Sequence, residues 1–333
     1  MNIINHFLPP LKICVKLIEK SSLSLDGKMS NFTGNGKIFE ELICSTTAED
    51  KPSVIFLSAF NFHLSIIASI GNILILIALQ KPSTLYPPSK VLLCCLATSD
   101  LCVGIVLQPL VAILFIAVVN ENRDLCGPIL GISFLLGVVL FGVSLLTLTA
   151  VSVERLLALS LGLRFRRVVT FKRTLAVVVC FWFINFAVAA LCFWNYVIFL
   201  WYGCMLILIC VITSTISYTK IYTDLCRQQT RLQDLSFQVH VNQTESPLNI
   251  ARYRKTLSRS LLIQVTLLAC YIPYCVVTAL ATFTGLTSPL VLGWRFTTSI
   301  VFLNSSLNPF LYCWKIAEVR QAVKDVIKQL CCC

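Results

Sequence analysis

Asn308-Pro309 lies inside an apolar run of more than twenty residues that ends in Phe310-Leu311-Tyr312. Neither residue suits the middle of a helix in lipid unless the helix must bend and bond there. Proline removes a backbone hydrogen bond and crowds the preceding turn. An intramembrane amide needs a polar partner inside the bundle. Asp100, the one acid of the second apolar run, is the candidate partner. Glu154 is the other acid in the apolar runs and stands beside Arg155, where the two charges can neutralise each other. Ser144 precedes Arg155 by eleven residues, about three helical turns, which brings it to the depth of Asp100, Asn304 and Asn308. Asn72, after Gly71, completes a polar ring. One carboxylate among hydroxyl and amide oxygens is chemistry for a hard cation such as sodium, or for a hydrated hydrogen-bond network.

The elements that must hold this ring are membrane spans. The chain is 57% hydrophobic and 13% charged, with a mean hydropathy of +0.84, which excludes an ordinary soluble domain. Seven runs are long enough to cross a bilayer, near 54–79, 89–117, 128–157, 172–194, 197–222, 257–283 and 291–313. They lack the alternation of barrel strands. The expected fold is all-α, a seven-helix bundle over 54–313, with an N-terminal tail over 1–53 and a cysteine-ending tail over 314–333. Nineteen of the 27 basic residues fall on one side, in the odd-numbered connections and the C-terminal tail. The positive-inside rule then places the N-terminus outside the cell. The net charge of +12 suits anionic lipid headgroups at the inner face, with no nucleic-acid partner.

Residues 1–20 lack a clean apolar stretch, so the first span is expected to act as its own targeting signal. Asn31-Phe32-Thr33 is a glycosylation sequon on the outer side. Most of the 17 cysteines lie in apolar runs as small packing residues. Cys126, at the outer end of the third run, is the candidate for a disulfide, with Cys14, Cys44, Cys192 or Cys204 as partner. No cysteine pair outside the spans has zinc spacing. His6 and His240 lie in polar tails or loops, and His63 in the first span has no adjacent nucleophile or acid, which speaks against an enzyme. A transporter or other non-coupling seven-helix protein is the alternative, but a charged pathway and inverted repeats are missing.

The chain resembles the rhodopsin-like (class A) G-protein-coupled receptors over roughly 54–333. The residues that carry the likeness are Gly71-Asn72, Leu96-Ala97-Thr98-Ser99-Asp100, Ser152-Val153-Glu154-Arg155, Trp182, Tyr218, Cys270-Tyr271-Ile272-Pro273 and Asn308 to Tyr312. Each motif alone is weak; seven in order are specific. The resemblance implies a sodium ion held in the resting state by Asp100, Ser144, Asn304 and Asn308. It also implies that the sixth helix swings about Pro273 when a ligand binds. Arg155 then releases Glu154, and Tyr218 and Tyr312 close over it, with Tyr271 and Pro309 as the moving joints. The partner at the inner face would be a heterotrimeric G protein.

The chain departs from that pattern in several places. Tyr271 stands where tryptophan is usual, the fifth run has no proline, and no acid lies near the start of the sixth run to restrain Arg155. Signalling without ligand is therefore expected. Trp194-Asn195-Tyr196 must serve as the whole link between the fourth and fifth spans. These features resemble the melanocortin, lysophospholipid, cannabinoid and adenosine receptor branch. Cys126 lies 29 residues before Arg155, about one turn beyond the family's disulfide cysteine, which speaks against the usual bridge from the third helix to an outer loop. Gly137 occupies the position where amine receptors carry an aspartate. An apolar chamber lined by Phe134, Gly137, Phe141, Tyr271, Tyr274 and Phe302 is expected, with Gln108, Thr278, Arg295 and Thr298 as its polar contacts. Such a chamber suits a small neutral or weakly anionic ligand. In the tail, Ile316, Val319, Val323, Ile327 and Leu330 form an amphipathic stripe for the membrane interface. Cys331, Cys332 and Cys333 beyond it are candidate palmitoylation positions.

Overall fold

The computed structural model describes residues 40–80, 85–194, 196–238, 246–285, 287–315 and 317–331. Asn31, Cys332 and Cys333 lie outside the described residues. Helices dominate: α1 Lys51–Gln80, α2 Pro87–Val119, α3 Arg123–Leu161, α4 Phe171–Trp194, α5 Tyr196–Gln238, α6 Ser246–Thr284, α7 Ser288–Lys315 and α8 Ala317–Cys331. A one-turn helix, Phe165–Val168, sits between α3 and α4.

Six of these helices are long and apolar enough to cross a membrane by length and composition alone. The seventh, α7, falls short because it carries the polar side of the bundle: Arg295, Thr297, Ser299, Asn304, Ser305, Ser306 and Asn308 are all buried. Outward, Ile66, Ile70, Ile105, Phe183, Phe186 and Ile216 are exposed. Such a surface is stable only against lipid.

Local sequence explains the irregularities. Pro109 has no N–H and crowds the carbonyl four residues back, and α2 widens into a π turn at Val103–Leu107 just before it. Asn122 caps α3 by accepting from the Leu125 amide at 3.2 Å. At the other end, Gly162 takes a φ of +49°, which a side chain would resist. The link from α4 to α5 is as short as the sequence suggests, from Trp194 to Tyr196.

Two expectations change. The stretch 223–256 between the fifth and sixth apolar runs, which their bounds leave as a connection, is largely helix, since α5 continues to Gln238 and α6 begins at Ser246. Residues 223–238 are rich in Leu, Arg and Gln, good helix formers in water as well as in lipid. In α8, Val319, Val323 and Val326 face the bundle and are buried, while Ile327 is exposed. The inward stripe therefore ends on Val326, because α8 packs against α1. Ile316 and the Leu330 side chain lie outside what is described.

Candidate functional site

Midway through the bundle, α2, α3 and α7 converge on Asp100, which is fully buried. Ser144 of α3 donates to one carboxylate oxygen at 2.9 Å, and the Asn308 amide of α7 donates to the other at 2.7 Å. Ser99 lies 2.9 Å from the Ser144 hydroxyl, and Ser305 also bonds to Asp100. Asn72 of α1 donates to the carbonyls of Ala68 at 2.9 Å and Ser305 at 3.2 Å. Among the described residues its own amide oxygen is buried without a hydrogen-bond partner, as is the Asn304 amide nitrogen. The five residues of the expected ring are thus buried together at one depth. Ser99 and Ser305 join them; both were visible in the sequence as hydroxyls beside Asp100 and Asn304.

At the inner end the expected pair is different. Glu154 accepts from Ser89 of α2, and no ion pair joins it to Arg155 among the described residues. Successive residues on a helix point about 100° apart, so Glu154 turns toward α2 while Arg155 points elsewhere. Tyr218 of α5 is buried and hydrogen-bonded to Ser152 at 3.2 Å, with Arg155 close enough to act on it electrostatically. Tyr312 is buried, and its hydroxyl has no hydrogen-bond partner among the described residues. Tyr86 holds the α3–α4 connection by donating to the Val169 carbonyl at 2.6 Å and packing on Phe165.

Between the middle and the outer end lies a cavity of about 100 Å³. Phe134, Gly137, Phe141, Tyr271, Tyr274, Thr298 and Phe302 line it as expected, together with Tyr202 and Trp294. Phe141 tilts on Phe302 at 5.3 Å, and Phe134 stacks on Trp294 at 5.5 Å. Three expected polar contacts do not line it. Gln108 is buried behind the wall and reaches the Phe302 carbonyl at 3.5 Å. Thr278 is buried one turn beyond Tyr274. Arg295, 2% exposed, turns outward and donates to the carbonyls of Ile43 at 2.7 Å and Ser45 at 2.9 Å.

Arg295 therefore clamps the segment before α1 rather than a ligand. A guanidinium buried near a helix end needs acceptors, and a folded strap supplies them through its backbone. Cys44 of this strap is disulfide-bonded to Cys126 at the start of α3, which selects one of the four partners that spacing left open. Ile43 and Cys44 are buried among Leu107, Val111, Phe115, Leu130 and Val291. Exposed pairs, Glu41 with Arg123 and Lys51 with Glu121, edge the strap; the Lys51 ammonium holds the Glu121 carboxyl below its ordinary range.

Behind the cavity, Asn185 of α4 is an unforeseen tie. It accepts from the Tyr202 hydroxyl at 2.7 Å and donates to the Phe181 carbonyl at 2.7 Å. Gly142 of α3 makes room for it. An asparagine in an apolar span was the available signal.

Comparison with known proteins places these features. Residues 71–199 match the family described as 7 transmembrane receptor (rhodopsin family). Over the longer chain, a bovine adenosine receptor A2b is 23% identical, covering 83% of this chain and 90% of the relative. The human adenosine receptor A2a is 23% identical, covering 80% and 70%. A sheep adenosine receptor A3 is 22% identical, covering 87% and 94%.

Proposed function

We infer that the chain is a rhodopsin-like (class A) G-protein-coupled receptor of the plasma membrane, and that a small, neutral, largely apolar ligand in the outer cavity drives its coupling. The carrying observation is the cavity wall. Its polar groups among the described residues are the hydroxyls of Ser133, Tyr202, Tyr271, Tyr274 and Thr298 and the Trp294 indole; charged side chains and carboxamides are absent from it. Hydroxyls suit a carbonyl, an ether or a weakly acidic group and leave a full charge uncompensated.

The relatives are named as adenosine receptors. Adenine offers an amine beside a ring acceptor, the pattern a carboxamide answers with two hydrogen bonds, and the wall holds no such group. The cavity therefore favours a less polar molecule than a nucleoside.

Mechanistically, Tyr271 and Tyr274 line the cavity on either side of Pro273. A ligand that packs better when this turn of α6 is displaced shifts the population toward an outward α6, as far as its preference for that packing allows. The inner crevice so opened admits the heterotrimeric G protein beside Arg155. Glu154 is already held by Ser89, so Arg155 needs no release from it.

In the resting receptor, Asp100 and the hydroxyls of Ser144, Ser99 and Ser305 would hold a sodium ion, with the amide oxygens of Asn72, Asn304 and Asn308 near. An all-oxygen set around one buried carboxylate, with the Asn72 oxygen unpartnered, fits a hard cation. The ion would supply a positive charge that offsets the buried carboxylate. The Cys44–Cys126 bridge supports an outer N-terminus, since disulfides persist on the oxidising side of a membrane. The C-terminal cysteines next to α8 suit acylation, and the basic inner edge suits anionic lipid.

The test is G-protein dissociation in cells expressing the chain or Arg155→Ala at equal surface level, with a panel of neutral lipophiles and adenosine. Activation by a lipophile that disappears in the variant supports the reading. Activation by adenosine alone overturns the ligand class, and signal that persists in Arg155→Ala overturns the coupling route.

A further inference from the structure

We propose that Cys204 of α5 and Cys275 of α6 form a second, redox-controlled disulfide that ties the outer halves of these helices together. The two thiols are hydrogen-bonded to each other across the helix interface. Cys275 is buried in the main apolar core, with Cys204 packed against it and partly exposed at the helix edge. Their depths match. Cys204 stands eight residues after the start of α5 and Cys275 nine before the end of α6, about 12 and 14 Å from the outer ends.

The place of the pair gives it consequence. Gly203 and Tyr274, their chain neighbours, line the cavity. Cys275 is two residues beyond Pro273, the one proline inside α6. A covalent tie at this point fixes the outer half of α6 on α5. Any swing of the inner half must then come from bending at Pro273 alone.

The chemistry balances with hydrogen peroxide, a small neutral oxidant that crosses lipid. One cysteine, as thiolate, attacks the peroxide oxygen, breaking the O–O bond to give a sulfenic acid and hydroxide, which takes up the released proton as water. The second thiol displaces the sulfenic hydroxyl as a further water, forming the S–S bond. Two thiols are oxidised and one peroxide is reduced to two waters. Among the other buried thiols, Cys95 bonds to Thr147 and Cys210 to Thr149, and hydroxyls cannot form such a bridge.

The experiment uses the full chain in lipid nanodiscs, titrated with hydrogen peroxide, alkylated with N-ethylmaleimide, and digested without reductant for mass spectrometry. The expected result is a cross-linked peptide pair containing Cys204 and Cys275, with equal loss of the two adducts. In Cys204→Ala, Cys275 keeps its adduct. In parallel, G-protein activation by oxidised wild type should fall severalfold, while Cys204→Ala is indifferent to peroxide. The proposal is overturned if both thiols remain alkylated while the Cys44–Cys126 bridge is intact, or if they reach sulfinic acid without cross-linking. A cross-link that leaves coupling unchanged overturns the control it is said to exert.

Discussion

Gly142→Ala is the sharpest test of the wall behind the cavity. A Cβ at this position would stand 2.6 Å from Asn185 Cγ and closer still to Oδ1, so the amide oxygen must retreat by about 2 Å to reach ordinary contact. Asn185 cannot retreat freely, because it is held at 2.7 Å both by the Tyr202 hydroxyl and by the Phe181 carbonyl. Hydrogen bonds between membrane helices contribute about 0.6 kcal/mol each and at most about 1.7 kcal/mol. Forcing a methyl into a packed core costs about 1–3 kcal/mol. The sum is about 2–4 kcal/mol, a fall of roughly 5–10 °C in the apparent unfolding midpoint, measured on purified receptor in nanodiscs. Adding Asn185→Ala removes the obstacle, so the double variant should be no less stable than Asn185→Ala alone. Gly142→Ala with the stability of wild type would refute the reasoning, as would a double variant no more stable than Gly142→Ala.

Three further outcomes test other parts of the molecule. Asp100→Asn should abolish any difference in basal signalling or thermal stability between sodium and choline chloride; a sodium effect that survives in the variant removes Asp100 from the ion's site. Arg295→Gln loses charge-assisted bonds to two carbonyls, each worth about 1.5–3 kcal/mol. Residues 45–50 should then exchange amide hydrogens at least tenfold faster while the disulfide keeps the strap attached, and unchanged exchange would rule out the clamp. Wild-type receptor should signal without ligand above a receptor whose arginine is restrained by an acid on α6, at matched surface level, because Arg155 has no ion pair among the described residues; silence would show that another contact restrains it.

The bundle and its polar centre were legible because lipid leaves so few alternatives. A carboxylate and an asparagine in apolar runs had to meet, and Asp100 meets Asn308. The aromatic wall was legible from helical spacing, as Phe134, Phe141 and Phe302 show. Side-chain direction was not. Adjacency suggested that Glu154 pairs with Arg155, whereas the helix turns it to Ser89. Arg295 read as a ligand contact because the strap that uses it, residues 43–45, is far away in sequence. Spacing offered four partners for Cys126 and no means of choosing; the choice of Cys44 depends on where that strap packs. Asn185 was overlooked because its partner Tyr202 sits on a helix whose rotation no periodicity fixes.

The polarity of α7 bears on how the protein is made. Among the described residues, α7 is the one long helix that is not apolar enough to cross a membrane on composition, and its arginine, two turns inside the outer end, adds to the cost of insertion. Among the described residues, Arg295, Ser306 and Asn308 bond to the strap, α1 and α2, all of which precede α7 in the chain. During synthesis, α7 therefore has to enter the bilayer in the company of helices already there. Asp100→Ala in α2, which takes away the acceptor of Asn308, would therefore lower the yield of inserted protein as well as any signal, and quality control would read a signalling residue as an insertion defect.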